Sequence, residues 1–305
     1  MEKVFHSGEL AVQKLAGEEK MAKRVGRSIQ STLAMGAANF LENLPQAIVA
    51  SKDDKDRLWA SILLGKPGIV KVHDNKTFSV VLDALESSRN DIFFENIKSN
   101  PHIGSLFIEQ ALRMRYRANG IASLFDGSIK VDIVEAYGNC PKYIQSGLLT
   151  LPKSPTKPEV KKTQGSILES PQKNWIGQAH TFFLATSSAE NKMDASHRGG
   201  HPGFVEILDN STLRIPDYPG NNMFNSLGNI YQNPNAGLLF VDYEGGKTLQ
   251  LTGKGELQFN NNSKEDLEKT GATGRFWLFH VDEWVVTENH HDVNWVFQEY
   301  SQFNP

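Results

Sequence analysis

Between a run that closes at Ile215-Pro216 and one that opens near Met223, the chain reads Asp217-Tyr218-Pro219-Gly220-Asn221-Asn222. A strand that stops, a Pro-Gly-Asn-Asn turn and a helix that starts leave backbone N–H groups unpaired and pointing one way, which suits a phosphate. The same residues also make an ordinary turn with Asn222 as an ordinary cap, so the local sequence leaves both readings open. Upstream lies Ser196-His197-Arg198-Gly199-Gly200-His201. His197 and His201 are four apart, but Gly199, Gly200 and Pro202 argue against the helix that would place both imidazoles on one zinc ion, and no metal site is expected. His290-His291 with Asp292 could bind a metal, although an exposed polar loop is the preferred reading. Cys140 precedes Pro141-Lys142, and a lysine could lower its pKa. Without a visible His partner the favoured role is a structural thiol. Arg113, Arg115 and Arg117 share one face of a β-type run. They form either an anion-binding row across a domain interface or a solvated edge strand protected by charge.

The segments that must hold these residues occur twice. Gly65-Lys66-Pro67-Gly68 returns as Gly200-His201-Pro202-Gly203, Ala60-Ser61 as Ala195-Ser196 and Asp74-Asn75-Lys76-Thr77 as Asp209-Asn210-Ser211-Thr212, all displaced by 135 positions (65 to 200, 60 to 195). Asn96-Ile97, Asn100-Pro101, Gly104 and Leu106-Phe107 return as Asn229-Ile230, Asn233-Pro234, Gly237 and Leu239-Phe240, displaced by 133 (96 to 229). A repeat this long is no solenoid unit. It implies two related domains packed about a pseudo-twofold axis, like a homodimer fused into one chain.

Length agrees, since 305 residues correspond to about two domains of ordinary size. A net charge of −3 gives no global electrostatic reason to expect nucleic acid or an anionic membrane as partner. One cysteine excludes an intrachain disulfide framework and fits a reducing compartment. Met1 to Gly17 has no apolar core of signal-peptide length, and no run approaches the roughly 20 apolar residues of a membrane helix. A cytoplasmic protein without a membrane partner is therefore expected.

Along the chain, residues 1–44 read as a helical segment, with Ser7 as N-cap, a helix running on to Met21 and another through Leu33 to Leu44. Residues 45–150 carry short β-rich runs at Gln46 to Ala50, Leu58 to Leu64, Ile69 to His73, Thr77 to Val81, Ser105 to Glu109, Leu112 to Ala118 and Ile129 to Ala136, with a helix near Ile92 to Ser99. Such spacing, with Gly, Pro and Asn in the turns, predicts a small antiparallel barrel or sandwich. Residues 151–172, with Pro152, Pro155, Pro158 and Pro171, read as an extended linker. Residues 173–305 repeat the order: Thr181 to Ser187, Lys192 to His197, Phe204 to Leu208, Thr212 to Pro216, a helix near Asn222 to Gln232, then Leu238 to Tyr243, Thr248 to Gly253 and Trp277 to Thr287. An insertion at Asn260 to Thr270 reads as a surface loop.

Taken together, Asp194 to Phe204, Asp209-Asn210-x-Thr212-Leu213, the 217–222 loop, Asn233-Pro234-x-x-Gly237 and Leu249-x-Leu251-x-Gly253-Lys254-Gly255-Glu256 resemble the pyridoxamine 5′-phosphate oxidase-like FMN-binding split-barrel family. Phe5-His6-Ser7-Gly8-Glu9-x-x-Val12-Gln13 and Gly138 to Gln145 are similar to its larger, two-barrel members. The resemblance implies a mainly β fold of two fused Greek-key split barrels with a few flanking helices, and an FMN in the groove between them. It places Ser196, His197, Arg198 and Gly199 along the flavin, Asp217 and Tyr218 at the end of the neighbouring strand, and Asn221 and Asn222 on the phosphate. Thr248 and Gln250 would reach the isoalloxazine edge. Many family members put Ser-Arg-Lys in the phosphate loop, and this loop has no cation. Arg198 is then the first candidate to balance the phosphate and Arg214 the second.

In the first repeat the equivalent stretch, Val80 to Asp91, carries Asp83, Glu86 and Asp91, which would repel phosphate, so one flavin per chain is expected. The implied function is an FMN-dependent oxidoreductase acting on a small molecule, with no catalytic side chain assigned and with the chain itself a pseudo-dimer. The rivals are a non-enzymatic flavin-binding or sensing protein and a haem protein with His197 or His201 as axial ligand. Pyridoxamine 5′-phosphate oxidase activity itself is not expected, because a phosphorylated substrate would need cations beyond Arg198.

Overall fold

The computed structural model describes residues 4–152 and 158–305. Three short helices come first: α1 (Ser7–Leu15), α2 (Glu19–Val25) and α3 (Ala37–Glu42). His6, not Ser7, is the N-cap of α1. Its ring accepts from the Gly8 N–H, while the Glu9 carboxyl accepts from the His6 N–H, so two end-of-helix donors are satisfied reciprocally. The run expected to reach Met21 breaks at Gly17, whose φ of +70° closes α1 in the left-handed region.

The first barrel holds β1 (Gln46–Lys52), β2 (Leu58–Leu64), β3 (Val70–Asp74), β4 (Thr77–Val81), α4 (Phe93–Ser99), β5 (His102–Glu109), β6 (Met114–Phe125) and β7 (Ser128–Gly138), and β8 (Ser146–Thr150) follows. The later part of the chain holds β9 (Lys161–Gly165), α5 (Ser170–Gln178), β10 (Thr181–Ser187), β11 (Met193–Gly199), β12 (Glu206–Ile207), β13 (Thr212–Pro216), α6 (Asn225–Gln232), β14 (Asn235–Asp242), β15 (Lys247–Gln258), α7 (Lys264–Lys269), β16 (Phe276–Glu288) and β17 (Asn294–Glu299). One sheet runs β2-β1-β5-β6-β7-β4-β3 and the other β11-β10-β14-β15-β16-β13-β12. Replacing each strand by its repeat partner turns one order into the other. Even the register slip recurs, between Asn119 and Gly120 against β7 and between Thr252 and Gly253 against β16. The protein is mainly β, with two split-barrel bodies of the same topology.

Within the segment read as a linker, Lys161–Gly165 pair with the far edge of β16 and Ser170 already begins α5. Pro155 lies outside the described residues. The insertion at Asn260 to Thr270 is not all loop, because Ser263 accepts from the Asp266 N–H and starts α7.

Each barrel has its own apolar core, and a third core lies between them. That third core is built of equivalent residues: Ala50 with Ala185, Ala60 with Ala195, Leu106 with Leu239, all fully buried. Two glycines set how closely the barrels approach. A Cβ on Gly104 would lie 2.6 Å from the Ala195 nitrogen, and one on its repeat partner Gly237 would lie 2.4 Å from the Leu58 oxygen, so only glycine lets the strands pass. β8 and β17, the strands that follow each barrel, pair with one another.

Candidate functional site

At one end of the interface the barrels part to form a cleft of about 820 Å³, counting the portion open to solvent. The second barrel supplies His197, Arg198 and Gly199 from β11 and the loop from Asp217 to Asn222; the first supplies Arg115 and Arg117 from β6 and the segment Asn139 to Tyr143 after β7. Tyr143 and Tyr218 meet across the cleft with ring centroids 4.9 Å apart.

Four guanidinium groups line the cleft, those of Arg115, Arg117, Arg198 and Arg275. Arg117 is buried, donating from Nε to the Ala195 carbonyl at 2.9 Å and from Nη1 to the Tyr137 hydroxyl at 2.9 Å, with the Asp194 carboxylate 3.3 Å away. Arg115 donates to the Cys140 carbonyl at 2.8 Å and to His197 Nδ1 at 3.1 Å. Burial, with Arg117 and Arg198 alongside, brings Arg115 down to about 9. Half-buried Arg198 makes no hydrogen bond or ion pair among the described residues; burial lowers its pKa and Asp217 opposes that shift. Asp217 cannot neutralise the group, because its carboxylate is held by Arg275 at 2.8 Å. The cleft therefore carries uncompensated positive charge in a partly desolvated place, where an anion gains most.

His197 is buried and kept neutral, first by desolvation and then by Arg115 and Arg198. Since its Nδ1 accepts from Arg115, its proton sits on Nε2, and that N–H has no partner among the described residues. An orphaned buried donor beside a cluster of cations is a ligand-facing arrangement.

The 217–224 loop is fixed from both sides. Asn221 Oδ1 accepts from the Met223 N–H at 3.1 Å, and Asn222, at φ +60°, donates from Nδ2 to Glu18 at 3.0 Å. Phe224 precedes α6 in the left-handed region without any side-chain cap, leaving the first-turn amides unclaimed by a cap. From behind, α1 clamps this loop: Gln13 donates to the Met223 carbonyl at 2.9 Å, Glu9 accepts from Asn225 and His6 pairs with Asn229 at 2.9 Å. Burial raises Glu9 to about 8 and lowers His6, so their 3.5 Å contact is between neutral groups rather than an ion pair.

Of the residues singled out from sequence, His197, Arg198, Gly199, Asp217, Tyr218, Asn221 and Asn222 share this cleft. Ser196 lies behind it, its hydroxyl bonded to that of Ser226 at 3.0 Å. Thr248 and Gln250 are not in it. They are buried at the twofold-related place, where Gln250 donates to the Ala60 carbonyl at 2.9 Å and to Ser61 at 3.0 Å. The pseudo-twofold makes each cleft from the β11-type strand of one barrel and the β6-type strand of the other, so Arg115 and Arg117 stand where Thr248 and Gln250 were expected. Nor is β6 an edge strand, since it pairs with both β5 and β7. Arg113 turns away to Glu299 at 2.7 Å, and Arg214 is spent on Glu206 and Asp266. His290 and His291 are buried, 1% and 6% exposed, rather than displayed on a loop. Among the described residues no group of three or more His, Cys, Asp or Glu side chains could hold a metal ion, and no helix is long and apolar enough to cross a membrane.

Among the linings that the sequence reading did not place in the cleft are Cys140, Lys142, Tyr143 and Arg275, and it did not foresee the clamp by α1. The signal was present in the 133-residue offset, which pairs Arg115 with Thr248 and thereby exchanges them between clefts.

Comparison with known proteins bears on residues 168–282, which match the family model described as pyridoxamine 5′-phosphate oxidase. Solved structures that resemble the chain include HupZ from Group A Streptococcus (15% identity, 44% of this chain and 98% of that one, TM-score 0.31). Others are a Clostridium acetobutylicum protein of the pyridoxinephosphate oxidase family, related to general stress protein 26 (15%, 42% and 92%, 0.30), and a FAD-binding protein from Mesorhizobium loti (13%, 42% and 97%, 0.31). The curated proteins contain no significant match.

Proposed function

We propose that this chain, which belongs through its second barrel to the pyridoxamine 5′-phosphate oxidase-like split-barrel family, binds one FMN in the cleft between its barrels and serves as an oxidoreductase for a small molecule. The observation that carries the reading is the convergence of Arg115, Arg117 and unpaired Arg198 on the loop that leads into α6. A phosphate fits there: Arg198 offers an unused guanidinium, and the uncapped amides at the start of α6 offer further donors. A planar ring would lie along β11, where His197 carries an unpartnered Nε2–H, while the glycine at 199 admits the Tyr143 carbonyl, which a Cβ would meet at 2.1 Å.

Bound FMN would supply the hydride or electron transfer. The protein's own part is electrostatic and positional. Arg115 fixes the His197 tautomer, so the imidazole donates a hydrogen bond and carries no charge to the ring. Arg117, locked to Asp194, holds β11 to β6 and keeps the cleft floor rigid. The Tyr143–Tyr218 pair walls the cleft, and burial raises both hydroxyl pKa values, Tyr143 to about 12, so they stay protonated. Lys142 and Arg115 add positive charge beyond Arg198, which removes the electrostatic objection to an anionic substrate.

Catalysis is distinguished from mere binding by adding NADPH or NADH to the FMN-loaded chain under anaerobic conditions and following flavin bleaching. Reduction followed by reoxidation with an acceptor supports an oxidoreductase. Failure of either nicotinamide or dithionite-reduced flavin to pass electrons onward would leave a flavin-binding protein without turnover.

A further inference from the structure

The twofold-related cleft, of about 1400 Å³ counting the portion open to solvent, differs from the first in charge. It is formed by the loop between β4 and α4, the turn before β15 and the segment before β17. By repeat position, Arg115 becomes Thr248, Arg117 becomes Gln250, Arg198 becomes Leu63, Lys142 becomes Asp292 and Tyr218 becomes Asp83. Every cation that defines the first cleft is gone and acids have entered, although Arg89, which also lines this cleft, pairs with Asp83 at 2.8 Å.

Two side chains lining it carry polar atoms that have no partner among the described residues. Glu86 Oε2 is buried without a hydrogen bond, while its other oxygen is 3.8 Å from Lys66, an exposed and therefore weak partner. His291 is 6% exposed and neither ring nitrogen has a hydrogen bond. Burial holds that imidazole neutral, at about 3. The Tyr243 ring stands 5.9 Å from it. A buried carboxylate oxygen and a buried neutral imidazole without partners each cost free energy, which a ligand bearing N–H donors and positive charge would recover. One face of the Tyr243 ring stacks on Trp295 at 5.0 Å, and a cation on the other would gain further from the ring. A single metal ion is the poorer match, since the His290 and His291 rings lie 5.8 Å apart at 83° and no three ligating side chains converge among the described residues.

We propose that this second cleft binds a small primary ammonium compound, with Glu86 and His291 as its hydrogen-bond acceptors and Tyr243 against its alkyl or ammonium face. The duplication would thus have produced one anion site and one cation site from a single ancestral cleft.

The test is calorimetric titration of the whole chain with 1,4-diaminobutane, with 1,4-butanediol and butyrate as uncharged and anionic controls. Saturable binding of the diamine alone, weakened about tenfold or more by Glu86→Gln and by His291→Phe with FMN affinity unchanged, is the expected result. Absence of saturable diamine binding, equal binding of the diol, or unaltered binding by both variants overturns the proposal. Should a variant fold poorly, the wild-type chain still decides: the His291 imidazole nitrogen resonances must shift on adding the diamine, and unmoved resonances overturn it.

Discussion

Arg117 and Gln250 occupy equivalent places in the two barrels, and each donates at 2.9 Å to the carbonyl of the equivalent alanine in the opposite barrel, Ala195 and Ala60 respectively. The interface needs the hydrogen bond on both sides, but a guanidinium serves on one side only. There it also meets Asp194, whose carboxyl is raised by burial and brought back by Arg117. Asymmetry of charge was therefore introduced without loss of the twofold contact.

Replacing Arg117 by Gln should keep the bond to Ala195 yet leave Asp194 buried and uncompensated. We expect a loss of about 3–5 kcal/mol in unfolding free energy, measured by urea titration. Adding Asp194→Asn should restore most of it. A double variant no more stable than the single one contradicts the pairing.

Charge at Arg198 is predicted to act on the phosphate. Arg198→Met should weaken FMN by about 1.5–3 kcal/mol, the scale of a charge-assisted hydrogen bond, and riboflavin far less, as read by fluorescence titration. Equal losses for both ligands would mean that Arg198 touches the ring or supports the fold.

Glu9 links pH to the clamp on the loop. Its folded pKa of about 8 lies above the ordinary 4.5, so the folded state holds the proton more tightly. Its contribution to stability is complete below about pH 4.5, declines as pH rises toward 8 and is constant above. The melting temperature of Glu9→Gln relative to wild type should therefore rise steadily between those limits. A difference independent of pH contradicts this assignment.

Residues 168–305 expressed alone should expose Phe183, Ala195 and Leu239, which the first barrel buries. Self-association in analytical ultracentrifugation and loss of FMN binding are expected. A monomeric, well-folded half with full affinity would make the cleft a property of one barrel.

Much of the fold was legible because each apolar run is bounded by turn residues. Leu58–Leu64, Thr77–Val81, Thr181–Ser187 and Thr212–Pro216 stand as the sequence reading had them. The first helix was legible but its ends were not, because His6 caps through a ring nitrogen and Gly17 ends it, features weaker than the periodicity around them. At the cleft, β11 and the following loop carry their chemistry in contiguous residues and were readable. Thr248 and Gln250 share a strand face as expected, but which cleft that face meets depends on the pairing of barrels, a non-local fact. His290 and His291 are hydrophilic by type and become buried only when the β4–α4 loop closes over them, with the Ser88 N–H donating to the His290 carbonyl at 2.7 Å.

The central claim is one flavin per chain at the Arg198 cleft, and fluorescence titration of the purified chain with FMN, followed by the absorption spectrum of the complex, tests it most directly. Saturation at about one equivalent is expected, with a dissociation constant in the micromolar range or tighter and a flavin spectrum whose vibronic structure is sharpened by burial. Two equivalents, no uptake at micromolar FMN, or a haem Soret band in the purified protein would contradict it.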